Sequence, residues 1–150
     1  MKNLKNKLNK KGGFTLIEML IVVAIIAILI AVSIPLVSNA LERTKIATDA
    51  ANERSAKAEI TIAYLTGEYE DGSKFVADDT YYYDAVNGAL VNSGTVTEYG
   101  KCTTHKHDGQ IIAVKADDKG VVSIAWVADT NGTVAAGDWN KDLCMNEINK

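Results

Sequence analysis

From Met19 to Val32 every residue is apolar, and between Phe14 and Val37 the only charged side chain is Glu18. About 20 helical residues cross the hydrocarbon of a bilayer, so this run has membrane-spanning length. It is rich in β-branched residues, yet a lone segment in lipid must satisfy its backbone hydrogen bonds internally, which leaves a helix. Lys2, Lys5, Lys7, Lys10 and Lys11 precede it without an acidic residue. That asymmetry puts the N-terminus on the cytoplasmic side and everything after Val37 outside. A secretory signal would carry its small-residue cleavage site after the apolar core, whereas Gly12 and Gly13 stand before it.

The formal net charge is −3, and it becomes −8 once the five leader lysines are removed. An acidic body of this kind favours solubility and disfavours nucleic acid, so no specific nucleic-acid partner is expected.

The segment Lys11-Gly12-Gly13-Phe14-Thr15-Leu16-Ile17-Glu18 resembles the prepilin peptidase recognition motif of type IV pilins and pseudopilins, and the resemblance continues to Pro35. It implies a cut between Gly13 and Phe14 by prepilin peptidase on the cytoplasmic face. It also implies N-methylation of Phe14 by the same enzyme and assembly with copies of itself on a membrane platform. Of the two glycines only Gly13 makes Glu18 the fifth residue of the mature chain. Many members of that family carry a glycine eight residues before the proline, where this chain has Ala27.

Glu18 has a physical reason to be there. An ionised carboxylate in apolar surroundings costs several kcal/mol unless it is paired. Cleavage creates an ammonium on Phe14, and in a filament the ammonium of one subunit can meet Glu18 of a neighbour. The competing reading keeps Glu18 at the membrane interface or against its own N-terminus.

Pro35 lacks an amide hydrogen and crowds the carbonyl of Ala31, which predicts a bend or loosening there. Residues 38–66 contain neither glycine nor proline and continue the helix, with Gly67 as its stop. Ala40, Ala47, Ala51, Ala58, Ile62 and Leu65 share one face and are expected to pack on the segment from Glu68 onward. Residues 110–116 and 121–127 are β-branched runs joined by Asp117-Asp118-Lys119-Gly120, which predicts an antiparallel hairpin. Residues 95–99 suggest a third strand, Asn131-Gly132 another tight turn, and residues 68–92 a variable connection. Tyr81-Tyr82-Tyr83 reads as packing, as does Trp126.

The fold class is therefore α+β: a long N-terminal helix packed against a small antiparallel sheet, pilin-like. The segments are a basic leader over 1–13, an apolar transmembrane or filament-core helix over 14–37, an amphipathic continuation over 38–66, and a globular part over 67–150.

Cys102 and Cys144 both lie beyond the apolar run, in the half expected outside the cytoplasm. A disulfide between them would staple the C-terminal segment to the loop before the hairpin, worth about 4 kcal/mol by loop entropy. Its position is similar to the disulfide-bounded region of many pilins. Zinc is the rival, because Cys102, His105, His107 and Cys144 offer four ligands, but the spacing is not a standard one. Residues 129–132 with Asp138 are oxygen-rich yet miss the spacing of a calcium loop. No metal, cofactor or catalytic constellation is expected, and the chain reads as no enzyme.

The reading is a pilus subunit, a single-pass precursor in the cytoplasmic membrane and then an extracellular filament supporting adhesion, motility or surface colonisation. The alternative within the class is a pseudopilin of a secretion or DNA-uptake system. Outside it stands a single-pass membrane protein with an outward binding module.

Overall fold

The computed structural model describes residues 13–69, 72–131 and 134–147. The leader up to Gly12 and the glycine of the Asn131-Gly132 turn lie outside the described residues. Between Asn39 and Ala40 the chain divides into two units.

The helix α1, Leu16–Thr66, belongs to both. In the first unit its residues are all exposed. Ser33 and Ser38 turn their hydroxyls back onto the carbonyls of Leu29 and Ile34 at 2.7 and 3.1 Å, so neither needs water. The loosening expected at Pro35 does not interrupt the helix, although proline supplies no hydrogen bond to Ala31. The stop falls where glycine predicts it. Gly67 takes a positive φ of 79° and its N–H donates to the Ala63 carbonyl at 2.9 Å, closing the last turn.

In the second unit α1 packs on a four-stranded antiparallel sheet of order β2-β1-β3-β4, where β1 is Tyr81–Asp84, β2 Ala89–Val91, β3 Ile111–Ala116 and β4 Val122–Val127. The predicted hairpin is β3 and β4, in register from Ile111↔Val127 to Ala116↔Val122. The third strand expected at residues 95–99 is not formed. That place is taken by Tyr81–Asp84, inside the segment read as a connection.

Both hairpins turn the same way chemically. Asp84 Oδ1 accepts from the N–H of Val86 and Asn87, and Asp117 Oδ1 from those of Lys119 and Val121. Gly88 and Gly120 then adopt positive φ.

Ile111, Ile112, Ala113 and Val114 are fully buried, so β3 is covered on both faces. Tyr81, Tyr82 and Tyr83 are buried with them, as expected. Tyr99, in the connection from β2 to β3, closes this core: its hydroxyl donates to the Tyr83 carbonyl and accepts from the Ile112 N–H, each at 2.9 Å.

The buried face of α1 differs from the one the alanine pattern suggests. Ala40, Ala47, Ala51, Ala58, Ile62 and Leu65 are exposed, and the covered side chains are Asp49, Ala50, Glu53, Ala56, Ile60 and Ala63. Ala56, Ile60 and Ala63 meet the sheet core. The two acids are buried because loop backbone requires acceptors there. Glu53 Oε1 accepts from the Trp126 indole N–H at 2.8 Å and the Cys144 N–H at 2.9 Å, and Oε2 from the Met145 N–H at 2.7 Å. Asp49 accepts from the N–H groups of Lys101 and Cys102, with the Cys102 contact at 2.7 Å. One further step along the face, Glu42 takes the N–H and hydroxyl groups of Thr103 and Thr104. A loop at residues 101–104 and the single-turn 3-10 helix Cys144–Asn146 are thus hung on three helix carboxylates, which satisfies amides that no strand could serve.

Two substitutions test this packing. Tyr99→Phe keeps the ring but strands a buried N–H and a buried carbonyl, and is expected to cost about 1–3 kcal/mol in denaturant unfolding of the detergent-solubilised chain. Glu53→Gln turns an NH2 toward a donor it must otherwise accept from, with an expected loss of at least about 2 kcal/mol, whereas exposed Arg54→Gln stays within about 0.5 kcal/mol. Equal stability of the two position-53 and position-54 variants would contradict the anchoring role.

Candidate functional site

Two places carry the residues singled out by the sequence, one in each unit. The first is the start of α1. Thr15 precedes the first helical residue, and its hydroxyl accepts from the Glu18 N–H at 3.2 Å. Glu18 Oε2 reaches back to the Thr15 N–H and hydroxyl, both at 2.8 Å. This is a reciprocal capping box, in which a side chain at each end satisfies an amide that the helix leaves without a partner. Thr15-x-x-Glu18 is legible as such in the sequence, but the apolar run draws the expected helix start to Phe14. Gly13 and Phe14 are exposed just ahead of the cap, so the peptide bond between them stands outside the helix.

The carboxylate is therefore placed at the mouth of the helix with an acceptor oxygen turned toward the chain before it. In the uncut chain the atoms it meets are those of Thr15. Hydrolysis between Gly13 and Phe14 would leave a carboxylate on Gly13 and an ammonium on Phe14, one residue from the group that already holds Glu18.

The second place is around the cysteines. The cystine expected from the sequence is not formed: Cys102 and Cys144 are free thiols, both fully buried. The fold nonetheless brings them together, since both sulfurs and a His105 nitrogen lie within 4.8 Å of one another. His107 Nδ1 is 3.5 Å from Cys144 Sγ and 4.0 Å from Asp49 Oδ2. The His107 ring stacks on Trp126 at 4.4 Å between centroids and on His105 at 5.6 Å. Trp126 is thus half core and half wall of this cluster. Gly100 admits it: a Cβ there would collide with the His107 carbonyl and the Trp126 ring.

Electrostatics follow burial. Desolvation pushes both thiols up, and at Cys102 the amides of His105 and Thr104 oppose it. Burial raises the Asp49 carboxyl against the pull of the Cys102 and Lys101 amides, and pushes His107 down to about 4. Glu42 is held down to about 2, first by the Thr104 N–H and then by the threonine hydroxyls. Cys144, His107 and Asp49 resemble a nucleophile, base and acid in a row, but burial of all three leaves a substrate no approach to the sulfur.

Sequence reading missed Asp49, Glu53 and Glu42. Their spacing of seven and four places them on one helix face, but a row of acids at that spacing also describes an ordinary solvated surface.

No curated protein and no solved structure matches the chain. Among protein families, the prokaryotic N-terminal methylation motif matches residues 8–34, which takes in the Gly13–Phe14 bond, the capping box and most of the apolar run. α1 is long and apolar enough to cross a membrane, as a membrane-anchored precursor requires. Through residues 8–34 the chain carries the N-terminal methylation signature of type IV pilin and pseudopilin precursors.

Proposed function

We propose that this protein is a structural subunit of a type IV pilus. It enters the membrane with its lysines in the cytoplasm, loses residues 1–13 to prepilin peptidase, is methylated on Phe14, and polymerises through the apolar half of α1. The partners are the peptidase, the assembly platform and other copies of the chain, and the product is an extracellular filament serving adhesion, motility or colonisation.

The observation that carries this reading is the placement of Glu18. It is the only charge in residues 14–37, and it is the fifth residue after the Gly13–Phe14 bond, which lies within the matched motif. A helix held in lipid alone gains nothing from a carboxylate at that depth. A bundle of such helices does, because each new ammonium on Phe14 can settle on a neighbour's Glu18 and fix the axial step between subunits.

Intact-mass and peptide analysis of surface appendages should find a chain that begins at Phe14 with a methylated amine. Glu18→Ala should still be inserted and cut but should yield no filaments. Thr15→Ala separates charge from capping: it breaks the box and keeps the carboxylate, so filaments should persist. An uncut leader, or normal filaments from Glu18→Ala, would sink the proposal.

A further inference from the structure

We propose that Cys102, Cys144, His105 and His107 bind one divalent metal ion of the zinc class. Two sulfurs and two imidazoles are a donor set that zinc prefers to calcium or magnesium, which take oxygen. Bonds of about 2.3 Å to sulfur and about 2.0 Å to nitrogen put tetrahedral donors roughly 3.3–3.8 Å apart. His107 Nδ1 and Cys144 Sγ already stand at 3.5 Å, and the Cys102, His105 and Cys144 donors are within 4.8 Å of each other. Drawing the Cys102, His105 and Cys144 donors to that spacing needs closures of about 1 Å, and His107 joins them from its place beside Cys144, where Asp49 is its other neighbour.

The backbone that presents the donors is fixed independently of the ion. Asp49 holds the Cys102 N–H, Glu42 holds the next two residues, and Glu53 holds the Cys144 N–H. Three donors thus come from one short loop and the fourth from the C-terminal segment, all anchored on α1. The ion joins the two segments that a cystine would join.

His105 supplies the observation that a cystine does not explain. Its Nε2 is buried without a hydrogen bond, although Glu147 Oε2 lies 3.4 Å away. Coordination resolves this through either ring nitrogen. Nε2 itself takes the ion, or Nδ1 does and Glu147 becomes the carboxylate that orients the ring. A cystine satisfies both sulfurs and leaves the two stacked imidazoles with no role.

The test uses the full chain purified in detergent under anaerobic, reducing conditions, loaded with zinc and desalted. Elemental analysis should find about one zinc per chain, and cobalt(II) in its place should give thiolate charge-transfer absorption. Cys102→Ser should abolish both signals. His105→Ala should weaken zinc by at least about tenfold in competition with a chromophoric chelator, while two thiols still titrate in denaturant. A reduced chain that takes up no zinc overturns the proposal, and so does retention unchanged in both variants. It is equally overturned by cell-derived protein two hydrogens short in mass that, once reduced, still binds no metal.

Discussion

Burying a carboxylate among the side chains from Leu16 to Val37 costs several kcal/mol unless a cation or a set of N–H groups meets it. Glu18 is half provided for. Its Oε2 holds the Thr15 amide and hydroxyl, which suits a helix mouth near a membrane surface. Deep in a bundle of apolar helices that arrangement leaves net charge unpaired, and the ammonium that the proposed cut would make on Phe14 is the natural remedy. On that proposal, the step that frees the subunit from its leader would also create the group its helix needs. Exposed apolar side chains on every side of this stretch add the second half of the argument, since lipid or other copies must cover them in water.

The globular unit solves the same problem differently. Asp49 and Glu53 are fully buried, yet each meets N–H donors, Asp49 from the loop at Lys101 and Cys102, and Glu53 from the Trp126 indole on β4 and the amides of Cys144 and Met145. A helix normally offers apolar groups to a sheet, and α1 does so at Ala56, Ile60 and Ala63. Toward residues 101–104 and 144–145 it offers oxygen instead, which lets irregular chain pack against it without stranding amides. Those fixed segments in turn bring Cys102, His105 and Cys144 together, with His107 beside Cys144.

The helix, its stop at Gly67 and the β3–β4 hairpin were legible because each has a strong local signal: an unbroken apolar run, a glycine that tolerates positive φ, and two β-branched runs about an Asp-rich turn. β1 was hidden because three tyrosines in a row carry no alternation between faces. The packed face of α1 was misread for a physical reason. Pattern reading counts acids as solvent-facing, and here Asp49 and Glu53 are interior because distant loop amides seek them. Nothing local announces a partner more than 50 residues away, whereas the cysteines and histidines could be named from the sequence as a ligand set but not ranked above a cystine. Their spacing fits no short motif, since one ligand arrives from the far end of the chain. The capping box is the opposite case: Thr15 and Glu18 announce it plainly, and only the length of the apolar run drew the reading away.

Electron cryo-microscopy of assembled filaments, at a resolution that shows side chains, locates the Phe14 amine outright. It should lie in one subunit within about 4 Å of Glu18 of the next, the reach of an ion pair. Filaments in which Glu18 still caps its own Thr15, with the neighbour's amine lying elsewhere, would contradict that pairing.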